Sequence, residues 1–345
     1  MSKKTMKCML YEGPQTVKFC EIAVPKPKRG NVLVQVKRCG ICGTDLHIYK
    51  GEIKSFSQKG IVLGHEISGV VSQLGNEVED FEIGTRVAID PNLFCSKCEF
   101  CRTKKKHFCK NWNAIGVTLN GGFAEYVEVP SSACYVIPEG ISFKKAALFE
   151  PLSCILHGIS RASMEPCDTI LVQGAGSIGL LFIQCLKKLG AYRIIVSDID
   201  NNKLLLAKGY GADVLINVKE KDLNETVLQE TNQLGVDLFI DAAGLLSTIP
   251  NSLKIVKCGG KVLIFGVPPE NKTVEIEPYL IYRREIQIIG SFTNPNSNVT
   301  AMKFLEKIDH SKIISHVIDL NEIEEKGFKM MGKEGTFKIQ VKISD

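Results

Sequence analysis

Apolar residues recur along this 345-residue chain with two different rhythms. Up to about residue 150 they form short runs, at 32–36, 69–73, 86–89 and 124–129, separated by Gly and Pro turns. Runs punctuated in this way predict a mostly β domain. From about residue 168 the rhythm becomes strand, helix, strand, helix. Thr169-Ile-Leu-Val-Gln173 reads as a strand, and 177–189 carries helical periodicity. A second strand at 193–197 leads to a helix at about 202–208, with further strands expected near 214–216, 238–241, 261–265 and 287–289. Such alternation implies a parallel sheet with helices on both faces. After about residue 295 the chain is expected to return to the first domain and to end on a strand at 336–343. The expected class is α/β: a mostly β domain from 1–155 and 295–345, and a doubly wound parallel-sheet domain over 156–294.

Composition narrows the class. Hydrophobic residues make up 44% and charged residues 23%, ordinary for a globular protein with two cores. The net charge of +5 is dispersed, and its densest run is only Lys104-Lys105-Lys106. That reads as a solvated face, because nucleic-acid-binding arms need longer basic blocks. No apolar run reaches the ~20 residues that span a bilayer. Met1-Ser2-Lys3-Lys4-Thr5 is not followed by the apolar core of a signal peptide. The expectation is a cytoplasmic protein that binds neither nucleic acid nor membrane.

Thirteen cysteines change the picture. Eight are scattered among apolar neighbours and read as buried thiols, which behave as small hydrophobes. Four others are clustered as Cys95-x2-Cys98-x2-Cys101-x7-Cys109, in a lobe over about 90–112. Four thiolates can close a tetrahedral shell, the requirement of a structural zinc site. The thirteenth belongs to a second constellation, Gly40-Ile-Cys42-Gly-Thr44-Asp45-Leu-His47 with Gly64-His65-Glu66. Cys42, His65 and Glu66 would supply a thiolate, an imidazole and a carboxylate and leave a fourth position open, the mark of a catalytic zinc.

Gly174-Ala175-Gly176-Ser177-Ile178-Gly179 is a G-x-G-x-x-G that follows an apolar strand and opens a helix. Gly174 would make the tight turn, Gly176 admit a pyrophosphate, and Gly179 allow close helix–strand packing. The helix N-terminus then offers unpaired N–H groups to the phosphates. Asp198 follows about twenty residues on and is placed to hold a ribose diol, which favours NAD over NADP.

Gly64-His65-Glu66-x2-Gly69-x5-Gly75-x2-Val78 resembles the signature of zinc-containing alcohol and polyol dehydrogenases of the medium-chain family. Cys42-Gly-Thr44-Asp45-x-His47, the cysteine lobe and the glycine fingerprint fall where that family has them, so the resemblance spans essentially the whole chain. A departure is Thr85 in Gly84-Thr85-Arg86-Val87, where the family usually has Asp. The resemblance implies a GroES-like catalytic domain beside a Rossmann NAD-binding domain. It implies that Cys42 and His65 are catalytic zinc ligands, with Glu66 a ligand or close neighbour. Thr44 would take the substrate proton, His47 relay it towards solvent, and Asp45 fix the His65 ring. Lys203, soon after Asp198, joins the implied cofactor residues.

Where simple alcohol dehydrogenases place a further cysteine, this chain reads Phe149-Glu150-Pro-Leu-Ser-Cys154-Ile-Leu-His157-Gly158. Glu-Pro-Leu followed by His-Gly resembles sorbitol, arabitol and related polyol or polyol-phosphate dehydrogenases. Glu150 would then ligate zinc or hold a zinc-bound water. The stretch Gly290-Ser-Phe-Thr-Asn294-Pro-Asn296 looks closer to bacterial arabitol-phosphate and galactitol-phosphate dehydrogenases than to animal sorbitol dehydrogenases. The expected reaction is NAD-linked oxidation of a secondary hydroxyl on a polyol or polyol phosphate, by a homodimer or homotetramer. Cys42-Gly-Thr-Asp-Leu-His-Ile-Tyr49 also resembles L-threonine 3-dehydrogenases, the nearer alternative. A non-catalytic zinc- and nucleotide-binding protein is the distant one.

Overall fold

A computed structural model of the chain describes residues 4–53 and 58–344, so Met1-Ser2-Lys3 lie outside the described residues. The chain divides into two compact units, Met1–Ser153 with Thr293–Asp345, and Cys154–Phe292.

The first unit is built on a seven-stranded sheet. Its strands lie in the order Cys134–Val136, Arg86–Ile89, Glu66–Leu74, Asn31–Gly40, Lys338–Lys342 and Ile314–Asp319, with Tyr126–Pro130 also paired to Asn31–Gly40. Asn31–Gly40 is rich in β-branched residues, and Val32, Leu33, Val34 and Val36 are completely buried. Each such side chain contributes roughly 1.5–3 kcal/mol by leaving water. A second sheet pairs Thr5–Gly13 with Thr16–Ala23 and Ile61–Val62. Between Asn92–Leu93 and Asn113–Ala114, which pair as a short antiparallel ribbon, the chain makes the four-cysteine lobe.

Register in the seven-stranded sheet sets up the chemistry. Glu66 lies directly across from Gly40, and Gly40 lies directly across from Gln340 on its other side. Lys338, two residues from Gln340, shares its face because side chains alternate along a strand.

The second unit is a six-stranded, wholly parallel sheet. Its order is Val214–Asn217, Arg193–Asp198, Thr169–Gln173, Val236–Asp241, Val256–Ile264 and Gln287–Gly290. Numbered within the unit this is 3-2-1-4-5-6, the doubly wound dinucleotide order with its crevice where the order reverses, outside the carboxyl end of Thr169–Gln173. Ile170, Leu171 and Val172 are fully buried, as expected for a parallel strand covered by helices on both faces. Among the described residues no helix is long and apolar enough to cross a membrane.

Candidate functional site

Cys42, His65 and Glu66 come together in the first unit, their ligand atoms all within 4.8 Å of one another. Cys42 is the N-cap of the helix Gly43–Lys50. Its backbone N–H donates to Asp45 Oδ2 at 2.8 Å, so a capping box fixes the thiol at the helix entrance. The other oxygen of Asp45 accepts from the Gly64 N–H at 3.3 Å and lies 3.3 Å from His65 Nδ1. Asp45 is completely buried. It therefore ties the thiol-bearing turn to the imidazole-bearing one, leaving the opposite ring nitrogen for a metal. Burial alone would lower the His65 pKa, but Asp45 and Cys42 outweigh it and hold it well above the ordinary value.

Glu66 is completely buried; Lys338 donates to its Oε1, and its Oε2 has no hydrogen-bond partner. Burial alone would lower the Lys338 pKa, but Glu66, Cys42 and, further down, Glu150 raise it. Lys338 was missed in the sequence; the signal was a lysine alternating with apolar residues in Phe-Lys-Ile-Gln-Val, on the polar face with Gln340. Gly40 makes room for this carboxylate, since a Cβ there would sit 1.8 Å from Glu66 Oε2.

Thr44 places its hydroxyl 3.8 Å from Cys42 Sγ. One turn along the helix, His47 Nδ1 lies 2.5 Å from Glu52 Oε2. Glu150 stands in the first turn of the helix Phe149–Arg161, 9% exposed. Its carboxylate does not join the three close donors, although its charge is felt at Lys338. A thiolate, an imidazole and a carboxylate this close together fit a catalytic zinc ion, which takes three protein ligands.

Cys95, Cys98, Cys101 and Cys109 form the second group of close donors. Zn–S bonds of ~2.3 Å in a tetrahedron require S···S separations of about 3.8 Å. Cys98 Sγ lies 3.6 Å from Cys101 Sγ and 3.9 Å from Cys109 Sγ. Backbone N–H groups of Cys95, Cys98 and Asn111 point at the sulfurs at 3.3, 3.4 and 3.4 Å, as donors to thiolates would. Ser96 and Lys104 both adopt left-handed conformations, with φ of 58° and 61°. Such strain persists where surroundings over-determine it, and four bonds to one ion would do so. The donor set fits a closed structural zinc.

The glycine fingerprint sits in the second unit. Gly174 has φ +100°, Gly176 has open space where a Cβ would be, and a Cβ on Gly179 would lie 1.9 Å from the Gly174 carbonyl. Gly176 caps the helix Ser177–Lys188 without any side-chain cap, so Ser177 and Ile178 open the helix with free N–H groups. Asp198, at the end of the next strand, accepts from Ala175 N–H at 2.7 Å and from the Ile199 and Asp200 N–H groups at 2.8 and 3.0 Å. This fits a dinucleotide whose phosphates lie on the helix N-terminus and whose ribose meets Asp198. Lys203 lies in the first turn of the following helix, Asn201–Gly209, which Asp200 caps.

Two other stretches turn inward. Arg284 donates to the carbonyls of Leu253 and Val256, and of the arginine pair Arg283-Arg284 only Arg283 is exposed. Asn294 is completely buried, so it does not present its amide to solvent. Thr85 accepts the Glu82 N–H at 3.3 Å through its hydroxyl, a turn contact that an aspartate would also make.

Residues 28–139 match the family described as alcohol dehydrogenase GroES-like domain, and 177–307 match zinc-binding dehydrogenase. The chain is 34% identical to D-arabinitol dehydrogenase 1 of Uromyces fabae, over 98% of this chain and 97% of that protein. It is 34% identical to the D-arabitol-phosphate dehydrogenase of Enterococcus avium, over 95% of each. A crystal structure of a putative zinc-binding dehydrogenase from Sinorhizobium meliloti 1021, bound to NADP, superimposes with a TM-score of 0.95. That structure covers 99% of this chain and 100% of its own, at 34% identity.

Proposed function

As the chain belongs to the zinc-binding dehydrogenases with an alcohol dehydrogenase GroES-like domain, we propose that it oxidises a secondary hydroxyl of a polyol or polyol phosphate to the ketose. The observation that carries this reading is the close set of a half-buried thiolate, a buried imidazole and a buried carboxylate, with Glu150 close enough to influence Lys338. Relatives acting on arabinitol and on arabitol phosphate support it.

When bound, zinc would supply Lewis acidity towards a hydroxyl and the dinucleotide a hydride acceptor. The chain's own residues do the rest. Cys42, His65 and Glu66 hold the metal, with Asp45 orienting the imidazole. Thr44 takes the hydroxyl proton, and His47, one turn on and paired with Glu52, passes it outward. The Glu150 carboxylate receives a neighbouring hydroxyl, which favours diols over simple alcohols. Gly174 to Gly179 cradle the pyrophosphate, and Asp198 selects the NAD ribose because a carboxylate repels a 2′-phosphate. The four-cysteine lobe holds its zinc as a structural ion.

The same reading includes a homodimer or homotetramer acting in the cytoplasm. The edge strand Gln287–Gly290 and the exposed Tyr279 and Tyr282 offer an apolar surface for a second copy, and thirteen cysteines with no disulfide among them suit a reducing compartment.

The test is NADH formation, followed by absorbance, over arabitol, sorbitol, xylitol, galactitol, their phosphates, butanediol and L-threonine, with NAD and NADP. Strong turnover of one polyol or polyol phosphate with NAD is expected. Turnover of threonine alone would overturn the substrate class and leave the zinc sites standing.

A further inference from the structure

Within the first unit lies a buried polar network that neither the metal nor the nucleotide residues use. Asp90 directly follows the strand Arg86–Ile89 and is 4% exposed. Its Oδ1 accepts the Asn92 backbone N–H at 3.1 Å, the Asn92 side-chain amide at 3.2 Å and the Asn294 amide at 3.3 Å. Its Oδ2 accepts from the Asn298 amide at 2.6 Å. Asn294 is the node. Its Nδ2 lies 2.7 Å from Ser153 Oγ and 3.1 Å from Asn298 Oδ1, and its Oδ1 accepts from Asn92 Nδ2 at 2.8 Å.

Each end of this network touches something of consequence. Asn92 belongs to the ribbon at the neck of the four-cysteine lobe and accepts the Trp112 indole N–H at 3.0 Å. Ser153, completely buried, donates its hydroxyl to the Glu150 carbonyl at 2.6 Å. A continuous path of hydrogen bonds therefore runs from Trp112 through Asn92, Asn294 and Ser153 to the backbone of Glu150. A surface loop has no need of such a path. Asn294 sits beyond the second unit in sequence, yet it is fully buried against the turn that carries Glu150, and its two amide hydrogens face three acceptors. Satisfied networks of this kind rigidify what they hold.

We propose that Asn294 is a positioning residue, which through Ser153 fixes the first turn of the Glu150 helix and so aims the Glu150 carboxylate at the metal held by Cys42, His65 and Glu66. The inference rests on the proposed role of Glu150. Asp90 and Asn92 hold Asn294 in turn, anchoring that aim to the neck of the cysteine lobe.

The experiment uses the full-length protein with cobalt(II) in both metal sites, because cobalt reports changes in its surroundings through visible absorption. Asn294→Ala is expected to change the catalytic-site bands and to weaken cobalt binding there by about tenfold or more. The thiolate charge-transfer band of the lobe should stay as in wild type. Ser153→Ala should reproduce the effect, and Ser153→Thr, which keeps the hydroxyl, should restore the wild-type spectrum. This pair carries the test if Asn294→Ala fails to fold. Adding Asn294→Ala to Glu150→Ala should have no further effect on either readout, whereas a merely structural role predicts additive losses. If Glu150→Ala changes the spectrum and the Asn294 and Ser153 variants do not, the positioning role is wrong. If Glu150→Ala itself changes nothing, the assignment of Glu150 falls first and takes the inference with it.

Discussion

Gly40 and Glu66 face each other across two strands, and one hydrogen atom decides whether the carboxylate fits. Gly40→Ala would put a methyl group 1.8 Å from Glu66 Oε2. We expect it to cost about 1–3 kcal/mol of stability, as overpacking does, and to reduce bound zinc from about two ions per chain to about one. Metal analysis of the purified variant checks this, and two retained zincs would mean that Glu66 is dispensable to the site. The thiols make a second prediction at this scale. Burial pushes the pKa of Cys8, Cys134 and Cys185 up to about 12, whereas Cys167 and Cys258, expected from the sequence among the buried thiols, are exposed. Iodoacetamide on the native, zinc-loaded protein should modify Cys167 and Cys258 first, read by mass spectrometry of peptides. The other three should react only after unfolding.

Elements were legible wherever one hydrophobic period ran uninterrupted. The strands expected at 86–89 and 169–173 are Arg86–Ile89 and Thr169–Gln173, and the helix expected at 177–189 is Ser177–Lys188. Expectation and structure part where the period is broken. The hairpin Thr5–Ala23 was not anticipated; its second strand is largely exposed, with Lys18 and Glu21 among its residues, and gives no clean alternation. Ile314–Asp319 was hidden for the same reason, since His316 interrupts its apolar run. The two groups of candidate metal donors and the glycine-rich turn were legible because fixed spacings encode them. Lys338 and Asn294 were not, because Lys338 meets Glu66, and Asn294 meets Ser153, only through pairings more than a hundred residues apart in sequence. The glycine-rich element yields its own test. Gly176→Ala meets nothing within 4 Å and should fold like wild type, yet bind NADH at least tenfold more weakly by fluorescence titration, because the methyl occupies the pyrophosphate's place. Gly179→Ala collides with the Gly174 carbonyl and should lower the melting temperature as well. Unimpaired binding by the Gly176 variant would remove the phosphates from this turn.

At the scale of the molecule, the parallel sheet ends in a strand whose outer edge pairs with no other strand among the described residues, with Ile288 38% exposed. Exposed apolar edges invite pairing with another chain. Ile288→Lys should therefore yield monomers by light scattering where the wild type gives dimers or larger; a monomeric wild type would refute the assembly outright. The first unit carries a different consequence, in its discontinuity. Lys338–Lys342 pairs on one side with Asn31–Gly40, a strand made some three hundred residues earlier on the ribosome. Chains fold domain by domain as they emerge, so Thr169 to Gly290 can complete its parallel sheet while the first unit still lacks a central strand. During that interval Cys42, His65 and Glu66 have all been synthesised, but the ammonium group that will neutralise Glu66 has not. On the proposed assignments, the nascent protein acquires a place for its nucleotide before its metal pocket is finished, so the order of assembly follows the order of translation.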